Sequence, residues 1–75
     1  MKKYISYTYE PTHDGGVRLI EAIDTGSTIE SKTLVYLLPG EEADEFLEHV
    51  EELYMMYGDE ADEYIEDAVQ DYIFG

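Results

Sequence analysis

The hydrophobic pattern changes its period once, at Pro39-Gly40, and that change limits what this chain can fold into. Before it, apolar residues sit in short runs rich in β-branched and aromatic side chains, the composition of pleated strands. After it, they recur at i, i+3, i+4 and i+7, the spacing of one helix face. Proline and glycine both disfavour continuation of either pattern, so the pair marks a boundary. A chain of 75 residues makes one domain. The two halves must therefore share one core. The expected architecture is α+β: a three-stranded antiparallel meander over about 3–38, followed by two amphipathic helices over 41–57 and 59–74.

The strand half divides at its turn residues. Residues 3–9 form a first strand, with Ile5, Tyr7 and Tyr9 on one face and Tyr4, Ser6 and Thr8 on the other. Pro11-Thr12-His13-Asp14-Gly15-Gly16 is a turn cluster whose two glycines can supply positive φ. Residues 17–23 read as a second strand with imperfect alternation, so the pattern does not assign its buried face. Asp24-Thr25-Gly26-Ser27 is the next turn. A third strand lies within 28–38, strongest at Thr33-Leu34-Val35-Tyr36-Leu37-Leu38. Short connections between successive strands imply antiparallel neighbours.

In the helical half, Ala43, Phe46, Leu47, Val50, Leu53, Tyr54 and Tyr57 form the first apolar stripe. Gly58 is placed to end that helix, and Asp59 to cap the next. Ala61, Tyr64, Ile65, Ala68, Val69, Tyr72 and Ile73 form the second stripe. The tyrosines at this spacing are expected in the core. Met55 and Met56 project toward the polar side near the end of the first helix, where flexible thioethers suit either the helix junction or a partner.

Charge follows the same boundary. The first 40 residues hold four basic and five acidic side chains, a net of −1; the remaining 35 hold 14 acidic and no basic ones, a net of −14. Glu41, Glu45, Glu48 and Glu52 fall on one line of the first helix, opposite its apolar stripe. Asp59, Glu63 and Glu66 are expected at the centre of the second polar face, flanked by Glu60, Asp62 and Asp67. Seven acidic pairs stand at i,i+4 (41/45, 44/48, 48/52, 59/63, 62/66, 63/67 and 67/71), and no opposite-charge pair offsets them. Each costs ~0.2–0.5 kcal/mol, so together about 1.5–3.5 kcal/mol before screening. A chain of this size has only about 4–11 kcal/mol in total. An ordinary surface would intersperse lysine. Adaptation to high salt would spread acid over the whole surface, whereas the first half is nearly balanced.

Carboxylates one helical turn apart are separated by roughly 5–6 Å, a scale similar to phosphate spacing along a DNA strand. Two rigid rows of this kind present a phosphate-like pattern to a nucleic-acid-binding groove. The same charge repels nucleic acid itself and anionic lipid, so neither is an expected partner. No stretch approaches the length of a membrane span. The absence of cysteine removes disulfides and fits a cytoplasmic location.

Other chemistry finds little support. Glu45, His49 and Glu52 match no metal-ligand motif, and Asp59-Glu60-Ala61-Asp62-Glu63-Tyr64 lacks the alternating ligands and central glycine of a calcium loop. No phosphate-cradling glycine loop occurs, and nothing pairs a nucleophile with a histidine. The expectation is a non-enzymatic protein without cofactor or metal.

The order of elements and the acid-rich junction Tyr57-Gly58-Asp59-Glu60-Ala61-Asp62-Glu63-Tyr64 resemble the small phage-encoded inhibitors that mimic DNA. Over Val17 to Phe74 the organisation is similar to part of a type II-A anti-CRISPR inhibitor, a family with an additional N-terminal helix. The resemblance implies an acidic surface that occupies the PAM-reading region of an RNA-guided nuclease and blocks DNA entry. It places the protein in the host cytoplasm, evading host defence.

The functional expectation is thus an acidic DNA-mimic inhibitor of a basic nucleic-acid-binding protein, an RNA-guided nuclease or a restriction enzyme. Its contact residues would be Glu41, Glu45, Glu48, Glu52, Met55, Met56, Asp59, Glu60, Asp62, Glu63, Glu66 and Asp67. The alternative is an acidic regulatory or structural module, an antitoxin-like subunit or assembly factor, bound to a basic partner. Both a monomer and a homodimer are compatible with the sequence.

Overall fold

A computed structural model describes residues 4–75. Three strands, β1 (Tyr4–Pro11), β2 (Val17–Asp24) and β3 (Ile29–Leu37), pair in the order β1-β2-β3, antiparallel throughout. Helices α1 (Glu41–Tyr57) and α2 (Ala61–Phe74) follow, joined by a 3₁₀ turn over Gly58–Glu60. The α+β meander-then-helices order is the one the period change demands. The expected start of the first strand at Lys3 lies outside the described residues.

The register shows which strand face is buried. Tyr9 stands opposite Leu19, and Leu19 opposite Val35; Pro11 stands opposite Val17, and Val17 opposite Leu37. Residues opposite one another share a face. That face carries Val17, Leu19 and Leu37 into the core, with Tyr7, Tyr9 and Val35 partly buried around them. Ile5, expected with Tyr7 and Tyr9, is on the same face but is half exposed. The reverse face, with Thr8, Arg18, Thr33 and Tyr36, is solvent-exposed. Between Leu19 and Ile20 the pairing skips Leu34, a β-bulge that bends β3 and ends the regular stretch Ile29–Thr33.

The helices contribute the other wall. Ala43, Phe46, Val50 and Leu53 of α1 and Ala61, Ile65, Ala68 and Val69 of α2 are buried in one cluster with the sheet residues. Phe46 is fully buried where three elements meet. Its ring packs edge-on against Tyr9 of β1 at 5.6 Å and Tyr72 of α2 at 5.2 Å. Tyr7 and Phe74 make a further edge contact at 5.6 Å, tying the end of α2 to β1.

The β1–β2 turn is built on Asp14. Its carboxylate accepts hydrogen bonds from the Thr12 hydroxyl, the Gly16 N–H at 3.2 Å and the Tyr36 hydroxyl at 2.9 Å. Those bonds, the one from Thr12 first, hold the Asp14 carboxyl below its ordinary value. Of the two glycines, only Gly15 takes positive φ (94°). Gly16 is required for a different reason: a Cβ there would meet the Tyr36 hydroxyl at 2.6 Å and the Leu37 carbonyl at 2.8 Å.

Candidate functional site

The helix pair is a hairpin. Phe46 near the start of α1 meets Tyr72 near the end of α2, while Tyr57 at the end of α1 stacks on Tyr64 near the start of α2 at 3.7 Å and 12°. The two helices therefore run antiparallel. The reversal is made at Gly58, whose φ of 59° and ψ of −122° are open to glycine at little cost. Its N–H donates to the Tyr54 carbonyl and closes α1.

The expected cap does not form. Asp59 lies within the 3₁₀ turn rather than at its flank; Glu60 occupies the N-cap position of α2 and makes no side-chain capping bond. The first α-helical residue of α2 is Ala61, fully buried, so burial of this small side chain sets where the helix begins. Asp59 and Glu60 thus project from the hairpin tip, both exposed. The 59/63 acid pair spans the turn and is not one of the in-helix repulsions.

Burial of one face of each helix presents the other to solvent. Glu41, Glu45, Glu48 and Glu52 are all exposed along α1, and Asp62, Glu63 and Asp67 along α2. Of the 14 acidic residues after Gly40, 13 are exposed. No lysine or arginine occurs on either helix to neutralise them. Acids in the first turn of each helix suit its dipole, whereas Asp71 near the end of α2 opposes it.

Glu66 is the exception, and it corrects its placement at the centre of the polar face. It is half-buried and accepts a hydrogen bond from Gln70 at 3.4 Å. Its charge acts on Tyr7 of β1. Partial burial, followed by the hydrogen bond that Tyr7 donates to Glu21 at 3.2 Å, raises the Tyr7 hydroxyl above its ordinary value, and Glu66 adds to the shift. The acids expected on that face which are fully exposed are Asp62, Glu63 and Asp67.

Met55 and Met56 are 82% and 67% exposed, so they are surface residues at the tip rather than junction packing. Sequence periodicity missed their neighbours. Tyr54, Tyr64 and Tyr72, expected in the core, are exposed, Tyr54 by 47%. Only Tyr57 among these four is partly buried against the core. A large ring at the edge of an apolar stripe packs on one side and stays partly in water on the other, Tyr72 against Phe46 and Tyr64 on Tyr57. The tip therefore combines Tyr54, Met55, Met56 and Tyr64 with the carboxylates of Asp59 and Glu60.

Among the described residues, no three side chains of His, Cys, Asp or Glu converge on a metal-binding position, and Glu45, His49 and Glu52 form no such group. No helix among them is long and apolar enough to cross a membrane. No protein-family model, curated protein or solved structure matches this chain.

Proposed function

We propose that this protein is a non-enzymatic, DNA-mimicking inhibitor that occupies the nucleic-acid-binding groove of a basic host defence or DNA-processing protein. The observation that carries this reading is the helical hairpin: it exposes its acidic rows with no lysine or arginine among them and folds despite the resulting repulsion. Glu41, Glu45, Glu48 and Glu52 on α1 and Asp62, Glu63 and Asp67 on α2 meet the Lys and Arg side chains that otherwise hold phosphates. Arginine forks pair bidentately with carboxylates. Long-range attraction speeds encounter. Because charge alone would engage any basic protein, discrimination falls to shape and to the apolar tip at Met55 and Met56. An RNA-guided nuclease, as for anti-CRISPR inhibitors, and a restriction enzyme are both targets of the right chemistry.

The exposed tip of Tyr54, Met55 and Met56 also favours a second reading, a regulatory or assembly subunit that binds its basic partner away from the nucleic-acid groove. The two differ in whether DNA and this protein exclude each other.

The rows themselves are tested by the triple variant E45Q/E48Q/E63Q. It removes the in-helix repulsions 41/45, 44/48, 48/52 and 63/67. At ~0.2–0.5 kcal/mol each, stability rises by about 1–2 kcal/mol. The thermal midpoint, followed by circular dichroism, rises on the order of 5 °C. Binding to the basic partner, measured by calorimetry, weakens by at least about tenfold, which is 1.4 kcal/mol. A destabilised variant, or one that binds as tightly as the parent, contradicts this assignment.

A further inference from the structure

We infer that the free edge of β3 is a self-association site, and that its occupant is a second copy of this chain paired antiparallel about Ser31. β3 is an edge strand, hydrogen-bonded only to β2 among the described strands. Its first five residues, Ile29 to Thr33, are all exposed, Ile29 by 71%. An unpaired row of N–H and C=O groups of this length is a template for another strand unless it is blocked. The bulge at Leu34 ends the regular stretch on one side, and the strand begins at Ile29 on the other. The midpoint of what remains is Ser31.

A two-fold axis at Ser31 uses the whole stretch. It sets Ile29 opposite Thr33 of the second copy, and Glu30 opposite Lys32 of the second copy, each pair occurring twice. Opposite residues share a face, so the two Glu–Lys pairs lie on one side of the joined sheet and the β-branched pairs on the other. The edge is thus complementary to itself in charge. A lone edge lysine normally discourages pairing; here Lys32 stands opposite Glu21 of β2 within its own sheet, and Glu30 of the second copy supplies a counterpart on its free side.

The alternatives are poorer. Among the described residues the β1 edge, Tyr4–Pro11, carries Glu10 as its sole charge and ends in a proline, so two copies joined within that stretch have no complementary pair. A β1-to-β3 joint is head-to-tail and cannot close as a two-fold dimer. The strongly acidic helices disfavour association through α1 or α2, whereas the first 40 residues hold four basic and five acidic side chains. This inference does not depend on the inhibitor reading.

The test is sedimentation equilibrium on the full chain, from micromolar to about millimolar concentration, with the charge-reversed variants E30K and K32E. The parent shows a monomer–dimer equilibrium. Each variant alone dimerises at least tenfold more weakly, because each faces like charges across the axis. An equimolar mixture of the two recovers parental association, since both charge pairs are then restored. Net charge separates this from general repulsion: exchanging one negative for one positive charge takes E30K from −15 to −13, which by itself would tighten association. Both substituted positions are exposed, and circular dichroism checks that the fold is kept. A parent that stays monomeric, an E30K variant that associates more tightly, or a mixture that does not recover overturns the inference.

Discussion

Replacing Phe46 by alanine is expected to cost about 3–5 kcal/mol, the usual range for deleting a buried aromatic ring. The reason is its position more than its size. Phe46 is fully buried, and its ring is held between Tyr9 of β1 and Tyr72 of α2. Removing it detaches both helices from the sheet at the base of the hairpin. A total stability of about 4–11 kcal/mol leaves little after such a loss. The thermal midpoint falls on the order of 20 °C, and a large share of the chain is unfolded at 37 °C. The control is Met55→Ala on the same helix, an 82% exposed residue whose loss should be within about 1 kcal/mol. Comparable losses from both substitutions would mean that the hairpin is not anchored through Phe46.

The second large effect is on partner binding. Interactions between exposed charges are screened over a Debye length, ~10 Å at 0.1 M ionic strength. An interface built from the α1 and α2 carboxylates should weaken steeply between 50 and 500 mM salt, by about two orders of magnitude or more, most of it through the association rate. The chain by itself should become more stable over the same range, because salt screens the repulsion among the 14 acids that follow Gly40. Opposite signs for binding and folding are the signature. Affinity nearly unchanged across that range would rule out electrostatic recognition and leave the apolar tip at Met55 and Met56 as the contact.

Much of this arrangement was legible in the residues because burial and charge both follow periodicity. Pro39-Gly40 marks the join between sheet and helices, and Ala43, Phe46, Val50 and Leu53 fall on the buried face of α1 as their spacing requires. The exposed row Glu41, Glu45, Glu48 and Glu52 follows from the same geometry. What periodicity does not contain is how wide a stripe the sheet covers. Tyr54, Tyr64 and Tyr72 sit at the edges of their stripes and stay partly in water, and Glu66 is partly buried on α2, the helix whose Phe74 meets Tyr7 of β1. Local signals also compete. Asp59 has the chemistry of a cap, but the reversal at Gly58 continues as a 3₁₀ turn, and the helix starts where buried Ala61 can pack. The pairing of Gly16 against Tyr36 is a contact between distant segments, which no local pattern encodes.

In the proposed mechanism the hairpin carboxylates stand in for phosphates, and one measurement addresses that directly. A purified basic partner is loaded with fluorescently labelled duplex DNA, and this protein is titrated in at fixed salt while anisotropy is read. The prediction is full displacement, with free DNA appearing in step with the bound protein and a midpoint that moves up as DNA concentration is raised. A stable ternary complex, with the label still bound at saturating protein, would contradict it.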